Sequence, residues 1–199
     1  MNRRFYALAR FIVWVLLRSF WRFRSSGAEN VPKNGPLIVA CNHISYFDPP
    51  ALGVAMPRPV TYMAKHELFE IPVLGPIIRW LGAFPVDRTR GDVSAFKSAV
   101  ALLETGAVLG IFPEGTRNKS GTVKPQLGAA LLAARSGATV LPAYVSGTGD
   151  AKHFSKIAVV LGEPMRFEYG RQARREDLAK WTDELMSRIY ALREKLGAN

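Results

Sequence analysis

The 199-residue chain has one cysteine, three histidines and only 16 acidic residues. A lone Cys41 forms no intramolecular disulfide, and with His43, His66 and His153 it offers no usual zinc-ligand spacing. Neither a disulfide framework nor a metal centre is expected. There is no internal repeat, no low-complexity tract and no long apolar run free of charge, which argues against solenoid and disordered classes. A content of 48% hydrophobic and 22% charged residues instead fits a globular domain. At this length folding buries roughly 70% of the unfolded surface, enough for a core without staples. What the chain has in excess is positive charge: 27 Lys and Arg give a formal net charge of +11. Such a balance points to an anionic partner, whether nucleic acid, an anionic membrane surface or a phosphorylated substrate.

Before the first acidic residue, Glu29, the chain carries Arg3, Arg4, Arg10, Arg18, Arg22 and Arg24 among apolar and aromatic residues. The most hydrophobic stretch, Phe5 to Phe23, contains Arg10 and Arg18, each costing roughly 2.5–3.5 kcal/mol at the centre of a spanning helix. That weakens a transmembrane reading. Helical stepping gathers the six arginines within about half the circumference, with Phe5, Leu8, Ile12, Val15, Leu16 and Phe23 opposite. Trp14 and Trp21 suit headgroup depth, so residues 1–26 are expected to form an amphipathic helix at an anionic membrane surface. The alternative is a helix that packs its apolar face on its own domain. The run is too interrupted, and Ser25-Ser26-Gly27-Ala28 too weak a cleavage site, for a secretory signal.

Residues 27–199 are expected to form one α/β domain. Ser25 to Pro36 reads as loop. Apolar runs of strand length follow at 37–41, 60–64, 83–86, 107–112, 139–145 and 157–161, and helical patterns lie between them at 49–55, 72–81, 93–105 and 125–136. This alternation predicts a mixed, largely parallel central sheet flanked by helices. A last helix, about 174–196, shows Leu178, Trp181, Leu185, Ile189, Leu192 and Leu196 as a core-packing stripe, with Gly197 as its stop.

The first strand leads into Asn42-His43-Ile44-Ser45-Tyr46-Phe47-Asp48, which places polar groups where open α/β sheets hold ligands. His43 is a candidate general base and Asp48 a candidate orienter of its ring; Asp48-Pro49 reads equally well as a helix N-cap with Pro at N1. Phe112-Pro113-Glu114-Gly115-Thr116-Arg117 also follows an apolar strand, with Gly115 free to turn and Arg117 a bidentate fork for phosphate. Lys65 and Arg88 leave two further strands in the same way. Together these cations would make a phosphate pocket beside a base; singly, each reads as a solvated surface charge.

In order, the segments 42–48, Gly82-Ala83-Phe84-Pro85-Val86-Asp87-Arg88, Phe112 to Arg117 and Val140-Leu141-Pro142-Ala143 resemble the four blocks of the glycerolipid acyltransferases. Within that superfamily they are most similar to the 1-acylglycerol-3-phosphate (lysophosphatidic acid) acyltransferases. Ala64-Lys65-His66-Glu67-Leu68, with Pro72 and Gly75, resembles the stretch between the first two blocks. The likeness departs at Asn118, where Ser often follows the arginine, and at Ala143, usually β-branched.

The resemblance implies that His43 takes a proton from the acceptor hydroxyl, that Asp48 orients it, and that Arg88, Glu114, Gly115 and Arg117, with Lys65, bind acceptor phosphate or glycerol. It also implies lysophosphatidic acid as acceptor, acyl-coenzyme A or acyl carrier protein as donor, and no bound cofactor, metal or nucleic acid. The expected location is peripheral or monotopic on the cytoplasmic face. Three alternatives stand beside it: another acceptor, such as glycerol 3-phosphate, another lysophospholipid or a lyso amino-acid lipid; a thioester hydrolase using Cys41; and a non-catalytic lipid-binding module.

Overall fold

A computed structural model describes residues 1–87 and 92–196. Its seven-stranded sheet has the order β1-β7-β6-β2-β5-β3-β4, with β1 (Arg24–Ser26), β2 (Leu37–Cys41), β3 (Val60–Lys65), β4 (Phe84–Val86), β5 (Val108–Ile111), β6 (Thr139–Ser146) and β7 (Ala158–Leu161). β2, β3, β4, β5 and β6 run parallel; β7 pairs antiparallel to β6, and β1 pairs parallel to β7. The sheet is thus mixed and mostly parallel, as the alternation predicts.

The central strand shows why its apolar run is continuous. Leu37, Val39 and Cys41 enter one core with α1 (Arg3–Trp21) and α2 (Asp48–Ala55), whereas Ile38 and Ala40 enter the other. That second core is covered by α4 (Val93–Glu104), α5 (Gly128–Ser136) and α6 (Arg175–Ala191). A strand buried on both faces has no polar side to alternate with. α3 (Leu74–Trp80) lies between β3 and β4 in the chain. The stripe on α6 packs as its spacing predicts, with Leu178, Trp181, Leu185, Ile189 and Leu192 all buried. α6 closes at Ala191 and a short 3-10 turn at Glu194–Leu196 follows; the expected stop, Gly197, lies outside the described residues.

Three expectations need correction. The stretch read as loop from Ser25 begins inside β1, because three exposed polar residues carry no hydrophobic pattern yet their backbone completes the edge of β7. The division at residue 26 therefore falls at the end of a strand, and the first helix itself stops at Trp21. The helix expected from Pro125 starts at Gly128, since the Gln126 N–H donates to the Pro113 carbonyl at 2.8 Å and holds that segment against the preceding loop.

The first helix settles on the domain by a stripe the arginine arc did not mark. Tyr6 and Leu17 are buried and Val13 packs against the core. Arg10 faces the protein too, donating to the Val54 carbonyl in the last turn of α2 at 3.2 Å. Leu8, Ile12, Val15 and Leu16 remain exposed, as do Phe11 and Trp14. Among the described residues no helix is long and apolar enough to cross a membrane.

Candidate active site

Parallel strands deliver their carboxyl ends to one edge of the sheet, so the loops after β2, β3, β5 and β6 meet there. His43 and Asp48 are brought together: His43 Nδ1 lies 2.8 Å from Asp48 Oδ2. The same oxygen accepts the Ile44 N–H at 2.7 Å and the Ser45 N–H at 2.8 Å. Asp48 Oδ1 accepts from the hydroxyl of Thr148. Asp48 is 0% exposed, and the hydrogen bonds on both of its oxygens fix its orientation. It opens α2, but no side-chain bond caps that helix; the carboxylate turns back to the loop before it. With Nδ1–H donated to Asp48, the tautomer leaves Nε2 as the basic nitrogen. The ring is seated on Phe112, with centroids 4.2 Å apart and planes 24° from parallel.

Glu114 holds the same histidine by its backbone. Its Oε2 accepts the His43 N–H at 2.6 Å, and its Oε1 accepts Asn118 Nδ2 at 2.8 Å and the Tyr190 hydroxyl at 2.6 Å. The Asn118 N–H donates to the His43 carbonyl at 2.6 Å. Glu114 is 1% exposed with both oxygens engaged inside the protein, so it faces the His43 loop and not the open rim. Asn118, which departs from the resembled pattern, thereby ties the two motif loops together; its Oδ1 also accepts the Val123 N–H.

The cationic residues sit further out. The Arg117 guanidinium lies 3.8 Å from the centroid of the Tyr46 ring, bridging the β5 loop to the β2 loop by a cation–π contact. Lys65 pairs with Glu67 at 2.6 Å, both side chains more than half exposed. Arg88 lies outside the described residues. Gly115 has φ +68°, which an L side chain rarely adopts, and a Cβ there would come 2.6 Å from the Gln126 side chain. Beside it a cavity of about 120 Å³ is lined by Met63, Val86, Phe112, Pro113, Gly115 and Gln126, among others.

Thr148, Tyr46 and Tyr190 are contributors the sequence analysis did not single out, and it named Asn118 only as a departure from the resembled pattern. Thr148 had a usable signal, a polar residue in Gly147-Thr148-Gly149 directly after an apolar strand. Tyr190 had none, standing one position off a core stripe. Cys41 is fully buried at the end of β2, and burial, reinforced by Asp48 and Glu114, pushes its thiol well above the usual range. That opposes a thiolate nucleophile and removes the support for Cys41-dependent hydrolysis.

The family model described as Acyltransferase matches residues 22–146, the span that holds the loops carrying His43, Asp48, Glu114 and Arg117. The 1-acyl-sn-glycerol-3-phosphate acyltransferase of Bacillus subtilis is 35% identical over 84% of this chain and 86% of its own length. The enzyme of the same name from Streptococcus pneumoniae is 30% identical over 92% of this chain and 68% of its own length. The crystal structure of the 1-acyl-sn-glycerophosphate (LPA) acyltransferase PlsC from Thermotoga maritima superposes with a TM-score of 0.74 at 26% identity, covering 100% of this chain and 80% of that one. A family model over more than half the chain, a relative 35% identical along most of it and a shared fold agree: the chain belongs to the acyltransferase family.

Proposed function

We propose that this protein transfers an acyl group from a thioester donor, acyl-coenzyme A or acyl carrier protein, to the free hydroxyl of lysophosphatidic acid, giving phosphatidic acid. The observation that carries the reading is the His43–Asp48 pair, held with Nδ1 on a buried carboxylate so that Nε2 is left for substrate. The names of the relatives support the acceptor. His43 Nε2 takes the hydroxyl proton as the acceptor oxygen attacks the thioester carbonyl. A C–O bond forms, the tetrahedral oxyanion collapses, the C–S bond breaks, and the imidazolium returns its proton to the thiolate. Asp48 stabilises the imidazolium in between. Arg117 and Lys65, with Arg88, receive the acceptor phosphate, and Gly115 lets the β5 loop turn beside it. Glu114 serves the site through the backbone of His43, since a buried carboxylate would repel a phosphate.

The exposed face of α1 supports a peripheral place on an anionic membrane surface; the cytoplasmic side is part of the proposal and follows from the thioester donor. Leu8 and Phe11 are 57% and 61% exposed, and Phe20, Tyr46, Phe47 and Phe154 extend the exposed apolar surface to the base loop. Trp21 joins these parts, 5.5 Å from the Phe47 ring and 5.6 Å from Phe154. Apolar residues flanked by arginines fit the boundary between acyl chains and anionic headgroups. Replacing Leu8 and Val15 together by Glu is expected to abolish flotation with phosphatidylglycerol vesicles while leaving the fold intact. Unchanged flotation would refute the membrane face.

The reaction is tested with lysophosphatidic acid and long-chain acyl-coenzyme A in mixed micelles, following free thiol and lipid product together. Thiol release matched by phosphatidic acid, and lost by about 10²-fold or more in His43→Ala, is the expected result. Thiol release without lipid product would point to a different acceptor or to hydrolysis.

A further inference from the structure

The C-terminal helix reaches the base loop through one side chain. Tyr190 stands on α6 next to the core-facing Ile189; the residue is 42% exposed, and its ring is set edge-on to Tyr144 with centroids 6.1 Å apart. Its hydroxyl nevertheless ends on a carboxylate that is 1% exposed, donating to Glu114 Oε1 at 2.6 Å. Burial, and then the hydrogen bond to Glu114, push the phenol far above its ordinary range, so it stays a donor. Asn118 Nδ2 shares Oε1, and the opposite oxygen holds the His43 N–H. Donors from three parts of the chain therefore converge on one carboxylate, and one of them is the backbone of the base itself.

We infer that Tyr190 is a positioning residue for acyl transfer, acting through Glu114 on the backbone of His43. Asp48 grips the ring of His43 and Glu114 grips its main chain; a base held at both points cannot pivot. Without the phenol hydroxyl, Oε1 keeps only the Asn118 amide, and the carboxylate gains freedom to rotate away from the His43 N–H. A shift of the base by about 1 Å is enough to cost on the order of a hundredfold in rate, and a partial loosening costs less. The helix that carries Tyr190 lies outside the residues matched by the family model. Its contribution to the site follows only from the hydrogen bond.

The inference rests on the acyl-transfer reading for its kinetic arm, and a second arm is independent of activity. Tyr190→Phe keeps the ring against Tyr144 and removes only the hydroxyl. It is expected to lower kcat about tenfold with the acceptor KM within about twofold, and to add little in a Glu114→Gln background, because both changes act on one link. In protein labelled with 15N-histidine, three backbone amide signals are expected, and His43→Ala identifies that of His43. A short bond to a carboxylate places that signal downfield. Tyr190→Phe should move it upfield while His66 and His153 stay in place. An unmoved His43 amide, an unchanged kcat, or a loss of melting temperature alone would overturn the inference. If the wild-type protein transfers no acyl group, the acyl-transfer reading falls, and the amide signal still decides whether Tyr190 holds the His43 backbone.

Discussion

His43 is gripped at its ring, its N–H and its carbonyl by buried partners, whereas Arg117, one loop away, rests on the face of a tyrosine that is 65% exposed. The two halves of the site are built to different standards. On the His43 side both carboxylates are fully engaged within the protein: Asp48 accepts from two backbone amides, a threonine and the imidazole, and Glu114 from three donors. Preorganisation of that kind stabilises developing charge without reorganisation during the reaction. On the cationic side, Lys65 pairs with Glu67 at the surface and Arg117 stacks on the Tyr46 ring. A cation buried without an anion would be costly, and the Lys65 side chain stays 57% exposed.

The sharpest way to break this contrast is at Asp48. The Ile44 and Ser45 amides require an oxygen where Oδ2 stands, so Asp48→Asn should seat its carbonyl there and keep the ring oriented while losing the charge that stabilises the imidazolium. Steady-state kinetics are expected to show kcat down about 10²-fold or more with the acceptor KM nearly unchanged. A rise in KM with kcat preserved would place Asp48 on the binding side.

Arg117→Ala probes the other half. It should lower kcat/KM for acceptors bearing a phosphate monoester by about ten- to a hundredfold, the value of a lost charge-assisted contact, and barely affect acceptors without one. Equal losses for both acceptor classes would make Arg117 a strut between the two loops, through Tyr46, and not a phosphate ligand. The smallest effect is expected from Thr148→Val, which removes one donor to Asp48 without changing volume. A loss of about fivefold in kcat, close to one net hydrogen bond, would show that the base side tolerates a single missing partner. No change would mean that the two backbone amides suffice.

The helices at the two ends of the chain show what is legible in a sequence. Both are amphipathic, and spacing alone located them; on α6 the apolar stripe became core, as Leu185 and Ile189 at 0% exposure show. On α1 Leu8, Ile12, Val15 and Leu16 stayed outside, while Tyr6, Val13 and Leu17 made the contact with the domain. Periodicity records which residues share a face. It does not record what covers that face, because the covering partner is set elsewhere in the chain.

By itself the sequence determined the alternation of strands and helices, the apolar run that became β2, and the motif loops that carry His43, Asp48, Glu114 and Arg117. Those features are written in local patterns of apolar spacing and short blocks. Tertiary structure alone decided that β1 joins the sheet, that Glu114 turns inward to the main chain of His43, and that Thr148 and Tyr190 complete the two carboxylates from 100 and 76 residues away. A buried carboxylate must find its donors wherever the fold delivers them, and no local pattern names a donor that distant.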